Sequence, residues 1–148
     1  MQIKSENFPE KSELLTEGGF WVGDPCYILP DRDWPVFCEE SFDYEENVAL
    51  YDYDGENFIA WDTKNGDGDY SLKVDNSTVK RLSVDAGMIS VIPMSLVKKF
   101  GATAGSLALG CIVKDISYLV LNSFSDGDIS VTVYDSKDKN FVLSMKTS

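Results

Sequence analysis

The sequence predicts a mainly β protein (α+β): a single twisted β-sandwich or partly open barrel of about ten short strands with one or two short helices. Three observations lead there. Runs of β-branched and aromatic residues recur at roughly ten-residue spacing. Turn signals rich in Gly, Asp and Pro separate the runs, among them Gly23-Asp-Pro25, Asp54-Gly55, Asn65-Gly-Asp-Gly-Asp69 and Asp85-Ala-Gly87. Apolar residues at helical spacing occur in only two short stretches. With 148 residues and neither a linker nor a repeat, one domain spanning 1–148 is expected.

Residues 1–17 mix charges around one proline and are expected as a partly ordered arm. Within it, Ser12-Glu-Leu-Leu-Thr16 reads as a helical turn or part of an edge strand. Phe20-Trp-Val22 is a strand that Gly23-Asp-Pro25 interrupts, because proline has no amide to donate and disfavours helix at the residue before it. Cys26-Tyr-Ile-Leu29 is then expected to resume the strand. Asp31 to Phe42 reads as a short helix with Asp33 as N-cap and Pro35 in its first turn. Its apolar stripe is Trp34, Phe37, Cys38 and Phe42, set against an acidic outer face.

Val48 to Tyr53 and Asn57 to Asp62 flank Asp54-Gly55, a hairpin signal. Tyr70 to Asp75, Val79 to Val84 and Met88 to Ile92 are further strands. Pro93 to Gly101 reads as a helix with proline at its start, lysines near its end and glycine as C-cap. Leu107 to Val113, Tyr118 to Leu121, Ile129 to Tyr134 and Phe141 to Met145 complete a meander.

Composition narrows the function classes. The chain has no histidine, so Ser-His-Asp and Cys-His nucleophiles and histidine zinc sites are impossible. Cys26, Cys38 and Cys111 are odd in number and widely spaced, which argues against a disulfide framework or a structural zinc and for an intracellular, cytoplasmic protein. No apolar run reaches the roughly 20 residues of a membrane span, and the first residues do not resemble a secretory signal. The net charge of −12 is uneven: residues 1–76 carry 19 acids and 5 bases, residues 77–148 carry 6 and 8. From Asp33 to Asp62 there are ten acids and no base. That field opposes direct contact with nucleic acid or an anionic membrane and suits a basic protein surface.

Two constellations are candidates for function. Asp24, Asp67, Asp69 and Asp85 each sit in a Gly-containing turn; brought to one rim, their oxygens suit a small ligand or a hard cation such as Ca²⁺ or Mg²⁺, with a division of acid and base roles conceivable for hydrolysis. The second is an acidic-aromatic surface for a partner, formed by Trp34, Glu39, Glu40, Asp43, Tyr44, Glu45, Glu46, Tyr51, Asp52, Tyr53 and Asp54. Cys26 has no electropositive neighbour in sequence and is expected to be packing.

Gly23-Asp-Pro-Cys-Tyr27, Gly66-Asp-Gly-Asp-Tyr70 and Val84-Asp-Ala-Gly87 together resemble motifs of small bacterial and phage proteins that have no established activity. The resemblance covers about residues 18–93. It implies that the three turns form a common site and that the origin is bacterial or phage; it transfers no catalytic residue. The expected function is that of a non-enzymatic binding protein, in the manner of a phage-type inhibitor or host-factor binder. The alternative is the ligand or metal site at the three turns, with no resident cofactor otherwise expected.

Overall fold

A computed structural model describes residues 3–7, 12–15, 19–41, 48–63, 66–74, 77–113, 116–125, 128–135 and 140–147. They are mostly β, in two antiparallel sheets with short helices. The strands are β1 (Ile3–Asn7), β2 (Ser12–Leu15), β3 (Phe20–Gly23), β4 (Val48–Tyr53), β5 (Glu56–Asp62), β6 (Gly68–Val74), β7 (Ser77–Val84), β8 (Met88–Pro93), β9 (Cys111–Val113), β10 (Ile116–Ser125), β11 (Asp128–Asp135) and β12 (Asn140–Thr147). The helices are α1 (Trp34–Ser41), α2 (Met94–Phe100) and α3 (Ala104–Leu107). The first sheet runs β1-β4-β5-β8-β3-β9 and the second β2-β10-β11-β12-β6-β7, neither closing into a barrel.

Local chemistry accounts for most elements. Asp54 and Gly55 both have positive φ (51° and 88°), as the tight turn between β4 and β5 requires. Gly101 ends α2 in the left-handed region (φ 74°), its amide returning to the carbonyls of Lys98 and Val97. Pro35 stands in the first turn of α1, and the Asp33 carbonyl accepts the Phe37 amide.

Three expectations are corrected. The presumed arm at 1–17 contains β1 and β2, each an edge strand of one sheet; Ser12 to Leu15 takes the edge-strand alternative, whereas Ile3-Lys-Ser-Glu-Asn7 is too short and too polar to be recognised without its partner. Cys26 to Leu29 is not strand: Pro25–Tyr27 winds into a 3-10 turn. Leu107 to Val113 is not one strand either: within it Cys111–Val113 is strand. Thr103 caps α3 by accepting the Ser106 amide, and the chain turns through 108–110 before β9. Phe42, expected on the α1 stripe, lies outside the described residues.

The first sheet is covered on both faces, which is why Phe58-Ile-Ala-Trp61 is buried without alternation. Toward the helices, Trp21, Tyr51, Tyr53, Phe58 and Ile92 pack with Phe37 of α1 and Leu96, Val97 and Phe100 of α2. Tyr51 stacks between Phe37 and Phe58 at centroid distances of 4.7 and 5.0 Å, and Phe100 meets Tyr53 edge-on at 4.7 Å. On the other face lie Phe20, Val22, Ile59, Trp61, Ile89 and Val91, all buried. Leu82 and Val84 of β7 are buried too, and β7 lies against β3.

Two ties hold the periphery. Glu56 accepts the Ser95 hydroxyl at 2.8 Å and pairs with Lys99, fastening α2 to the β4–β5 hairpin. The 108–110 turn is clamped over Trp21, whose indole N–H donates to the Leu107 carbonyl at 3.0 Å. Lys80 Nζ, from the other sheet, donates to the carbonyls of Ala108 (2.7 Å) and Gly110. Gly110 rests on the indole so closely that an added Cβ would collide with the ring and with the Val22 carbonyl.

Gly110→Ala should therefore cost about 2 kcal/mol through overpacking against a rigid, buried ring. That is a fall of roughly 4–8 °C in melting temperature; an unchanged thermal melt would refute the clamp. Lys99 and then Ser95 hold the Glu56 carboxyl below the usual glutamate range. The stability from this depressed pKa is full above the unfolded-state value and is lost as pH falls through the folded-state value. The melting-temperature gap between the native protein and Glu56→Gln should be widest near pH 7 and close below about pH 4; a gap constant from neutral to acid pH would contradict it.

Candidate functional site

The rim that the sequence singles out is assembled by strand order. β5 and β8 are neighbours in the first sheet, while β6 and β7, which lie between them in sequence, form a hairpin of the second. The chain thus leaves the first sheet after Asp62 and returns at Met88, and those two residues are paired. β3, on the other side of β8, ends at the same rim, with Gly23 opposite Ser90. Three turns far apart in sequence are therefore brought together.

Asp24 is the residue that joins them. Its side chain is fully buried, at 0% exposure. Oδ1 accepts the Cys26 amide at 2.8 Å, and Oδ2 accepts the amides of Asp85 and Ala86, each at 2.7 Å. Charge-assisted bonds of this kind are the short, strong ones. Together with Pro25, whose fixed φ suits a helical first turn, the Cys26 bond explains why the chain coils here. The second and third turns are tied by Thr63, whose amide donates to the Gly87 carbonyl and whose hydroxyl reaches the carbonyls of Gly66 (2.6 Å) and Gly87 (3.1 Å). Tyr70 also donates to the Gly66 carbonyl, at 2.5 Å. Gly87 holds a left-handed backbone (φ 67°) beside the second turn, where a Cβ would make ordinary contact with Gly66 Cα (3.8 Å) and Asp67 Oδ1 (3.9 Å).

Asp24, Asp67 and Asp85 thus surround Cys26, while Asp69 does not join them. It sits on β6, paired with Ser83, with its carboxylate 4.0 Å from Arg81. Among the described residues no group of three or more carboxylates and thiols is placed to hold a metal ion. Of the four carboxylates expected to share a cation, Asp24 is engaged by three amides and Asp69 lies on β6 beside Arg81.

The surroundings also set the reactivity. Burial pushes the Cys26 thiol well above its ordinary range, and its bond to Asp24 and the charges of Asp24, Asp85 and Asp67 push the same way. Tyr27 donates its hydroxyl to Asp85 Oδ2; burial, followed by that bond and the Asp85 charge, raises the phenol as well. Neither group is poised as an anionic nucleophile at neutral pH.

The acidic-aromatic candidate divides into two layers. Tyr51 and Tyr53 are each 1% exposed, so they are core residues and not partner contacts as expected. Period-2 alternation turns the rings of β4 inward and leaves Asp52 between them on the opposite face. Trp34 is half-buried against Phe37 at 5.3 Å. Glu39 and Asp54 are exposed, Glu40 and Asp52 half-buried, and Asp52 accepts the Gly55 amide at 3.1 Å. Asp43, Tyr44, Glu45 and Glu46 lie outside the described residues. Asp33, named only as a cap, is buried and accepts the Tyr53 hydroxyl at 3.2 Å. Thr63 and Lys80 carried no sequence signal, since their roles depend on carbonyls from other strands.

No protein-family model, curated protein or solved structure matches the chain. Among the described residues no helix is long and apolar enough to cross a membrane.

Asp24→Asn places an N–H₂ where an acceptor oxygen now receives backbone amides. It should cost about 3 kcal/mol, the scale of losing charge-assisted bonds in a buried site. A loss in chemical denaturation below about 0.5 kcal/mol would show that Asp24 does not join the turns.

Proposed function

We propose that this chain is a non-enzymatic binding protein that presents the carboxylates of its front half to a basic protein surface. The observation that carries the reading is the layering between Asp33 and Asp62. Phe37, Tyr51, Tyr53, Phe58 and Trp61 are buried, while Glu39, Asp54 and Asp62 are exposed. A stacked aromatic core makes a stiff base, and one-signed charge above it favours encounter with a basic partner. Arg32 pairs with Asp33 and Lys99 with Glu56, while Glu39, Asp54 and Asp62 carry their charge at the surface. An inhibitor that occupies a nucleic-acid-binding groove by mimicking its charge is the form of binding this surface suits. The raised thiol and phenol at the rim favour binding over catalysis. The reading takes the two sheets as layers of one sandwich, with β3 against β7.

The protein immobilised on resin should retain a specific basic protein from bacterial lysate at about 50 mM salt and release it near 0.5 M, where the Debye length is only a few ångströms. The double variant Glu39→Lys, Asp54→Lys should retain at least about fivefold less, its fold checked by thermal melt. Equal retention by the variant, or no specific protein at low salt, would reject the proposal.

A further inference from the structure

The acid-only segment has a counterpart. From Ala86 to Val113 the chain carries no acid, and Lys98 and Lys99 are the only charges. The end of this stretch forms α3, the 108–110 turn and β9. With Lys80 of β7 these enclose an open groove of about 410 Å³, its wall largely apolar and including Ala104, Leu107 and Ile112.

Three features distinguish the groove from a solvated surface. Among the described residues β9 and β7 are the terminal strands of their sheets, so the groove runs between two sheet edges. Exposed edges are ordinarily blunted by charge; β7 has Lys80 and Arg81, whereas Cys111-Ile-Val113 has none. Ile112 on this edge stands 37% exposed, and Leu109 in the turn before it 39%. Finally, Lys80 commits two N–H donors to the carbonyls of Ala108 and Gly110. An ammonium has three donors, so one donor and the full positive charge remain at the groove.

We propose that this groove docks an extended peptide segment of a partner protein, added as a strand along β9. An apolar side chain of the segment would rest on Leu107 and Ile112, and a neighbouring carboxylate would meet Lys80. Main-chain pairing at a sheet edge supplies affinity, and alternate side chains supply selectivity. The charge argument selects the occupant. A second copy docked two-fold on the same edge would bring Lys80 toward Lys80, like charge against like at close range. A single carboxylate beside Lys80 acts within about 8 Å, where screening has not yet removed the attraction and the distant acids are screened. The proposal does not draw on the acidic face.

The test uses fluorescence anisotropy with labelled peptides carrying three aliphatic residues between two glutamates, and the same peptides with lysines in place of the glutamates. The full-length protein should saturate with the glutamate set below about 1 mM and bind the lysine set at least about tenfold more weakly. Ile112→Glu, a surface change whose fold is verified by thermal melt, should abolish binding. No binding of the glutamate set, equal binding of the two sets, or binding retained by Ile112→Glu would each overturn the proposal. So would sedimentation equilibrium showing a dimer that Ile112→Glu dissociates, which would assign the edge to a second copy.

Discussion

A carboxylate removed from water must find donors for its oxygens or raise its cost of burial by several kcal/mol. Asp24 meets that requirement with three backbone amides, one from the turn it begins and two from a turn about sixty residues later. The end of β3 and the passage from β7 to β8 are thereby held in one geometry. Thr63 and Tyr70 bind the Gly66 carbonyl and extend the same construction to the crossing between β5 and β6. The site is a structural knot whose hydrogen bonds are nearly all internal.

That arrangement has a chemical consequence. The residue types at the rim, a thiol, a phenol and carboxylates, are those from which nucleophiles and general bases are made. Here burial first, and then the bond to Asp24 and the charges of Asp24, Asp85 and Asp67, hold the Cys26 thiol in its protonated form. Burial, and after it the bond to Asp85 and that carboxylate's charge, do the same to the Tyr27 phenol. The bonds that join the three turns therefore also quiet the groups beside them.

Away from the rim the molecule separates charge by sequence region. The acid-only segment folds with its rings inward, and the acid-free segment ends in an apolar edge. Both follow from coverage of the first sheet on its two faces. One face takes the helices and the aromatic stack, the other the hydrophobic residues of β3, β5 and β8. Polar side chains are left to the hairpin tip, the outer face of α1 and the strand ends, where the acids are exposed.

Elements that close on themselves were legible in the sequence. Asp54-Gly55 specified a turn with two positive φ values, Gly101 ended α2, and Pro35 marked the first turn of α1, because each acts on backbone within a few residues. The gathering of Asp24, Asp67 and Asp85, and the exclusion of Asp69, could not be read that way. It depends on β5, β8 and β3 lying side by side while β6 and β7 depart to the other sheet, and strand order is a property of pairing between distant segments. The coil at Cys26 to Leu29 and the turn at 108–110 escaped for the same reason: residues of strand-forming type were overruled by Asp24 and by the clamp of Trp21 and Lys80. The sequence by itself determined turn positions, the inward periodicity of the strands and the segregation of charge, all set by short-range sterics and composition. Tertiary structure alone decided which turns meet, which rings are covered and which edge stays open, because those depend on contacts between residues many tens of positions apart.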